Sequence, residues 1–146
     1  MQKHGEHVIG KCGQVLLFSG RGPWNDEALE GSLQQTIDNF HTVDKNRPWA
    51  QLSCLYGESL FPPSTYNLFK KQTFLRKQLG ITAVAVVILD SDISNTIKQQ
   101  LSTGYQAAEV NYQFFSSLVD AIHWLENHGV DIDANAITQF FNQNRL

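Results

Sequence analysis

Residues 18–30, FSGRGPWNDEALE, hold the pattern closest to ligand chemistry: a hydrophobic run ends, two glycines bracket an arginine, and a helix begins. Phosphate sites are built this way, because backbone N–H groups at a helix start face the anion. A dinucleotide fingerprint also requires a third glycine for close helix packing and an acid about 20 residues on, at a strand end. Here Asn25 occupies the third-glycine position, and the next suitable acid, Asp44, lies in a polar loop. Asn25 is instead a favoured N-cap, followed by Asp26 and Glu27 in the first turn, where the dipole favours acids that would repel phosphate. Trp24 before the cap and Leu29 beyond it are spaced as a hydrophobic staple. The expectation is a helix start.

A second stretch, VVILDSDIS (86–94), ends a hydrophobic strand in Asp-x-Asp, as the nucleophile and general acid of a phosphotransfer site would require. No later pair of carboxylates at a strand end completes a Mg²⁺ site, so Asp90 is read as a strand end and Asp92 as the cap of a helix from Ile93. His4 and His7 lie in a polar terminus, while His123 and His128 are five apart, which keeps them off one helix face. No cysteine joins them at zinc-like spacing, and no G-x-S-x-G elbow marks a nucleophilic serine. Accordingly no catalytic residue, metal ligand or cofactor is assigned.

The third stretch is CLYGESLFPPS (54–64), following another strand. In a parallel sheet its loop shares an edge with Gly20–Trp24 and Asp90–Asp92, and ligands of open α/β sheets gather at that carboxyl edge. Trp24, Tyr56, Glu58 and Ser59 are the candidate ligand- or partner-binding loop residues.

The elements that must position them follow from periodicity. His7–Cys12 and Gln14–Ser19 read as strands joined at Gly13. A helix over about 26–41 carries Leu29, Leu33, Ile37 and Phe40 on one stripe. Trp49–Tyr56 is a strand, and 64–79 a helix with Leu68, Phe69, Leu75 and Leu79 inward and Gly80 at its end. AVAVVIL (83–89) is apolar on both faces, the mark of a central strand covered on both sides. A helix over about 93–102 precedes a half-exposed strand around Val110, Tyr112 and Phe114, which belongs near a sheet edge. Ser117 and Asp120 are spaced as a capping box for a helix that ends at Gly129. Ile137, Phe140 and Phe141 then form one face of a last helix, Ala134–Asn144, a candidate interface that must dock either on the domain itself or on a second copy as a homodimer. Alternation of strands and helices implies an α/β fold, a mostly parallel sheet of about five strands with helices packed on it. The domain spans 6–129, and 130–146 is a C-terminal helical extension.

A chain of 146 residues with 42% hydrophobic content can bury a core of its own. Its net charge of -3 gives no electrostatic case for nucleic acid. The one basic cluster, Lys70, Lys71, Arg76 and Lys77, reads as a solvated helix face. Two cysteines, Cys12 and Cys54, make no disulfide framework and fit a reducing compartment. No apolar run approaches the roughly 20 residues of a membrane span, and the N-terminus has no signal-peptide core. These features lead to the expectation of a cytoplasmic protein without stable membrane insertion.

Several short motifs in order (Gly22–Asn25, Arg47–Ala50, Gly80 with Ala83–Ile88, and Phe114-Phe115 with Ala121 and Trp124-Leu125) resemble the SpoIIAA-like or STAS superfamily of sulfate-transporter and anti-sigma-factor-antagonist domains. The similarity is to an uncharacterised bacterial branch carrying GPWN, and covers about residues 6–128. It implies successive β-α turns and a non-enzymatic regulatory or protein-interaction module with a protein partner. The family's Ser/Thr phosphoswitch is not implied here: with Gly57 as the motif glycine, Cys54 and Tyr56 occupy the acid and phosphoacceptor positions, and Ser59 is out of register. The alternative is a small-molecule or lipid-binding domain using a crevice at the carboxyl edge.

Overall fold

The computed structural model describes residues 5–146, so His4 lies outside the described residues. The elements in chain order are β1 (Glu6–Cys12), β2 (Val15–Arg21), α1 (Asp26–Phe40), β3 (Ala50–Tyr56), α2 (Pro63–Gln78), β4 (Ala83–Leu89), α3 (Ser94–Ala107), β5 (Tyr112–Phe115), α4 (Leu118–Glu126) and α5 (Ala134–Gln143). They form an α/β fold on one mostly parallel sheet. Strand order equals chain order, β1-β2-β3-β4-β5, with β1 antiparallel to β2 and every other pair parallel. Cys12 pairs with Val15 across a two-residue turn, and Gly13 there takes φ +57°, a conformation that costs other residues.

Topology explains the layering. Each β-α-β crossover steps the same way across the sheet, and right-handed crossovers then place α1, α2 and α3 on one face. Leu29, Phe69, Ile97 and Leu101 are buried there against Leu16, Leu55, Val84 and Val86. The opposite face falls to the elements after β5: Ala121, Ile122 and Leu125 of α4, with Ile137 and Phe141 of α5, bury Val15, Leu17, Leu52, Ala85 and Val87. The segment 130–146, read from sequence as an appended extension, thus supplies part of the layer covering that face. Phe140 packs directly over Gly10, where an added Cβ would meet its ring at 2.7 Å.

Several local expectations hold. Asn25 caps α1, its Oδ1 accepting the Ala28 N–H at 2.9 Å, and Trp24 and Leu29 are buried together. Asn25→Ala is therefore expected to lower unfolding free energy by about 1 kcal/mol; an unchanged denaturation midpoint would refute the cap's contribution. Ser117 accepts the Asp120 N–H at 3.2 Å, and β5 lies at the sheet edge. No helix among the described residues is long and apolar enough to cross a membrane.

Three expectations are corrected. Asp92 does not cap α3: Ile93 holds the N-cap position, and the Ser91 hydroxyl accepts the Ile93 N–H at 3.2 Å. That helix also runs to Ala107, because Gly104 lets it pass close under the Phe69 ring. The third correction matters most. Helix α2 buries Thr65, Phe69, Gln72 and Thr73, while Leu68 and Leu75 are half-buried and Leu79 is exposed. Its polar side faces inward because α1 holds it there. Thr65 donates to Asp26 Oδ1 at 2.6 Å, and Gln72 Nε2 donates to the Leu29 carbonyl at 3.2 Å.

Candidate functional site

The loops after β2, β3 and β4 do meet at the carboxyl edge, as parallel strands require. They enclose an open groove of about 340 Å³ bordered by Arg21, Gly22, Glu58, Asp90 and Asp92. One cation stands among three acids, an unfavourable balance for phosphate. Gly22 sits under the next loop, where a Cβ would come within 2.7 Å of the Ser59 Cα, so close backbone packing accounts for this glycine.

The four residues expected to converge there diverge. Trp24 is buried on the helix-α2 side, its ring edge-on to Phe18 and its backbone N–H donated to the Leu60 carbonyl at 3.0 Å. Tyr56 is buried on the opposite face, beneath the guanidinium groups of Arg145 and Arg21 at 5.3 and 6.0 Å from its centroid. Ser59 is buried and ties two loops: it donates to the Tyr56 carbonyl at 2.8 Å and accepts the Gly22 N–H at 3.1 Å. Only Glu58 is exposed on the groove.

Residues 144–146 lie along the same edge. Ser19 donates to the Asn144 carbonyl at 2.6 Å, Arg21 Nε donates to the Leu146 carbonyl oxygen at 2.8 Å, and Arg145 pairs with Asp90 at 2.9 Å. The last pair is more than half exposed on both sides and adds little stability. Among the described residues no group of three or more His, Cys, Asp or Glu is placed to hold a metal. Neither thiol is activated. Burial pushes Cys54 up to about 12, against a smaller opposing pull from Arg145, and burial followed by Asp133 raises Cys12. The candidate interface residues Ile137 and Phe141 are 0% and 4% exposed within the domain, and Phe140 is half-buried over β1.

The feature that sequence reading missed lies between the sheet and α2. On β3, Gln51 and Ser53 point to the helix side, and the polar stripe of α2 faces them across a cavity of about 60 Å³. Phe18, Trp24, Phe69 and Tyr105 supply its apolar walls. Gln51 Nε2 donates to Ser53 Oγ at 3.1 Å, and Thr73 donates to the Phe69 carbonyl at 2.8 Å. Two buried atoms on this cavity have no partner: Gln51 Oε1 and Arg76 Nε. Arg76 as a residue is half-buried, yet its Nε is sealed from water. It is thus no member of a solvated basic face, unlike the exposed Lys71 and Lys77. Among the described residues no carboxylate pairs with it. Desolvation lowers its pKa, with nearby Tyr105 opposing, while burial pushes Tyr105 up to about 12. The signal was present in AQLSCLY: Gln51 and Ser53 alternate with apolar residues on a strand flanked on both sides, where neither alternating face should be polar.

With both sites described, comparison with protein-family models, curated proteins and solved structures finds no match to the chain.

Proposed function

We propose that this domain is a non-enzymatic binding module that takes a small ligand between its sheet and helix α2. The observation carrying this reading is the cavity that holds Gln51 Oε1 and Arg76 Nε without partners. Each unsatisfied buried polar group costs about 1–3 kcal/mol. Rotating α2 to bury Leu68, Leu75 and Leu79 would avoid that cost, so the polar layer is retained against stability, as binding sites are. The raised thiol pKa values support binding over covalent chemistry. An amide-resolved NMR fragment screen tests the reading. Binders should shift the backbone resonances of Gln51, Ser53, Gln72 and Thr73 together; a library that leaves all four unmoved overturns it.

The same balance predicts the effect of removing the charge. Arg76→Met keeps much of the side-chain length while removing the sealed, unpartnered Nε–H, and is expected to raise unfolding free energy by about 1 kcal/mol. Denaturant melts check this, and a destabilised variant would show that the guanidinium is satisfied after all.

A second reading, the STAS-like regulatory or protein-interaction module without a Ser/Thr switch, is favoured by a different observation. Phe74 on α2 and Leu79 at its C-cap are 46% and 38% exposed, a surface on which a protein partner would dock. If so, Phe74→Ser should abolish co-purification of a partner that the wild-type domain retains. Retention of that partner by the variant would remove this surface from consideration.

A further inference from the structure

Gln51 and Ser53 lie two apart on β3, so both project from one face of the sheet, toward α2. Strand register sets them among apolar neighbours. Ser53 is level with Phe18 of β2 and Val86 of β4, and Gln51 with Leu16 and Val84. Phe18 and Val84 line the same cavity, so the polar pair and an apolar wall stand one strand spacing apart, about 4.8 Å. The helix layer adds Phe69 and Tyr105, whose rings meet edge-on with centroids 5.6 Å apart.

The polar pair does not satisfy itself. Gln51 Nε2 donates to Ser53 Oγ at 3.1 Å, which leaves Oε1 buried without a donor. Turning the amide over only exchanges the roles: Ser53 then donates to Oε1, and Nε2 lacks an acceptor. A carboxylate accepts and an ammonium donates, and each brings a charge into an apolar surround. A neutral hydroxyl donates and accepts, so it meets the pair in either orientation. A phenol carries that hydroxyl on a ring, and rings pack edge-on or offset against aromatic walls. With a pKa of about 10, as in the tyrosine side chain, a simple phenol stays neutral at neutral pH. The cavity is half-open, so its volume does not bound the part of a guest that extends outward.

We infer that the cavity beneath α2 is a site for a phenol, its hydroxyl on the Gln51–Ser53 pair and its ring against Phe18, Phe69 and Tyr105. The inference rests on the ligand-binding reading above and names the ligand's chemical class. Recognition of the hydroxyl belongs to β3 and recognition of the ring to the aromatic wall, so the two are separable.

The test titrates three compounds into the intact domain at neutral pH: p-cresol, toluene without the hydroxyl, and 4-methylcyclohexanol without the aromatic ring. NMR follows the backbone amides of Gln51 and Ser53 and the side-chain amide protons of Gln51. p-Cresol should shift all of them saturably and bind about tenfold more tightly than toluene, the effect of one buried hydrogen bond. 4-Methylcyclohexanol should bind more weakly than p-cresol. Gln51→Met, checked for folding by its amide spectrum, should bind p-cresol and toluene alike, and Ser53→Ala should also reduce the preference. Equal binding of toluene by the wild-type domain, or a preference that survives in both variants, would overturn recognition of the hydroxyl. Equal binding of 4-methylcyclohexanol would overturn the aromatic class. No response to the three, with other fragments still perturbing Gln51, Ser53, Gln72 and Thr73, overturns the phenol alone. If nothing perturbs those residues, the cavity holds only water, and both this inference and the binding reading fall.

Discussion

Phe141→Ala is expected to lower unfolding free energy by about 3–5 kcal/mol, the range for emptying a buried aromatic site. Phe141 is 4% exposed on a helix whose other anchor, Ile137, is fully buried. Both share one buried cluster with Val15, Leu17 and Leu52, so the loss falls on that face of the sheet. The adjacent cap is a weaker contribution, with the Asp133 carboxylate accepting the Ala136 N–H at 3.1 Å. Urea denaturation followed by circular dichroism measures the effect. A loss below about 1 kcal/mol would mean that α5 is loosely held and that its apolar face answers to something other than this sheet.

The second large effect is alkaline. Tyr105 has a folded pKa of about 12 against an ordinary 10.0, and Cys54 about 12 against 9.0, in both cases chiefly through burial. For each group the unfolded chain releases its proton first, so stability is complete below the unfolded pKa and is lost as pH rises toward the folded one. The window opens at about pH 9 with Cys54, continues from about pH 10 with Tyr105, and closes near 12. At about 1.4 kcal/mol per unit, Tyr105 alone accounts for on the order of 3 kcal/mol over its window. Unfolding free energies between pH 8 and 11 should therefore fall ever more steeply. Tyr105→Phe should flatten the upper part of the curve and Cys54→Ala the lower part. A wild-type profile that stays level to pH 11 would contradict the burial assigned to both groups.

Sequence periodicity was most reliable where a single requirement governed the pattern. AVAVVIL had to be covered on both sides, and β4 occupies those seven residues, Ala83–Leu89. Asn25 and Ser117 announced helix starts because a cap is a local hydrogen bond between near neighbours. Helix α2 was misread because its apolar residues suggest one face and its tertiary bonds select another. Thr65 and Gln72 answer to Asp26 and Leu29, partners 39 and 43 positions away that no local window contains. Arg76 was hidden by its company: beside Lys70, Lys71 and Lys77 it looks like one more solvated charge. The carboxyl-edge loops were found, but not which way their side chains turn. Trp24 and Tyr56 leave the edge for opposite faces of the sheet, a choice fixed by strand register and not by residue type.

Strand order equal to chain order has a consequence for the growing polypeptide. The α1–α3 face can assemble stepwise during synthesis, each new β-α unit settling beside the one before it. The opposite face cannot. Val15 and Leu17 are made early, yet their cover includes Ile137 and Phe141, and Ser19 waits for the Asn144 carbonyl across 125 positions. At roughly 5–20 residues per second, the apolar underside of β2 and β3 stays bare for several seconds after those strands have formed. During that interval it offers a flat hydrophobic surface to any chaperone at the ribosome, and to any neighbouring nascent chain.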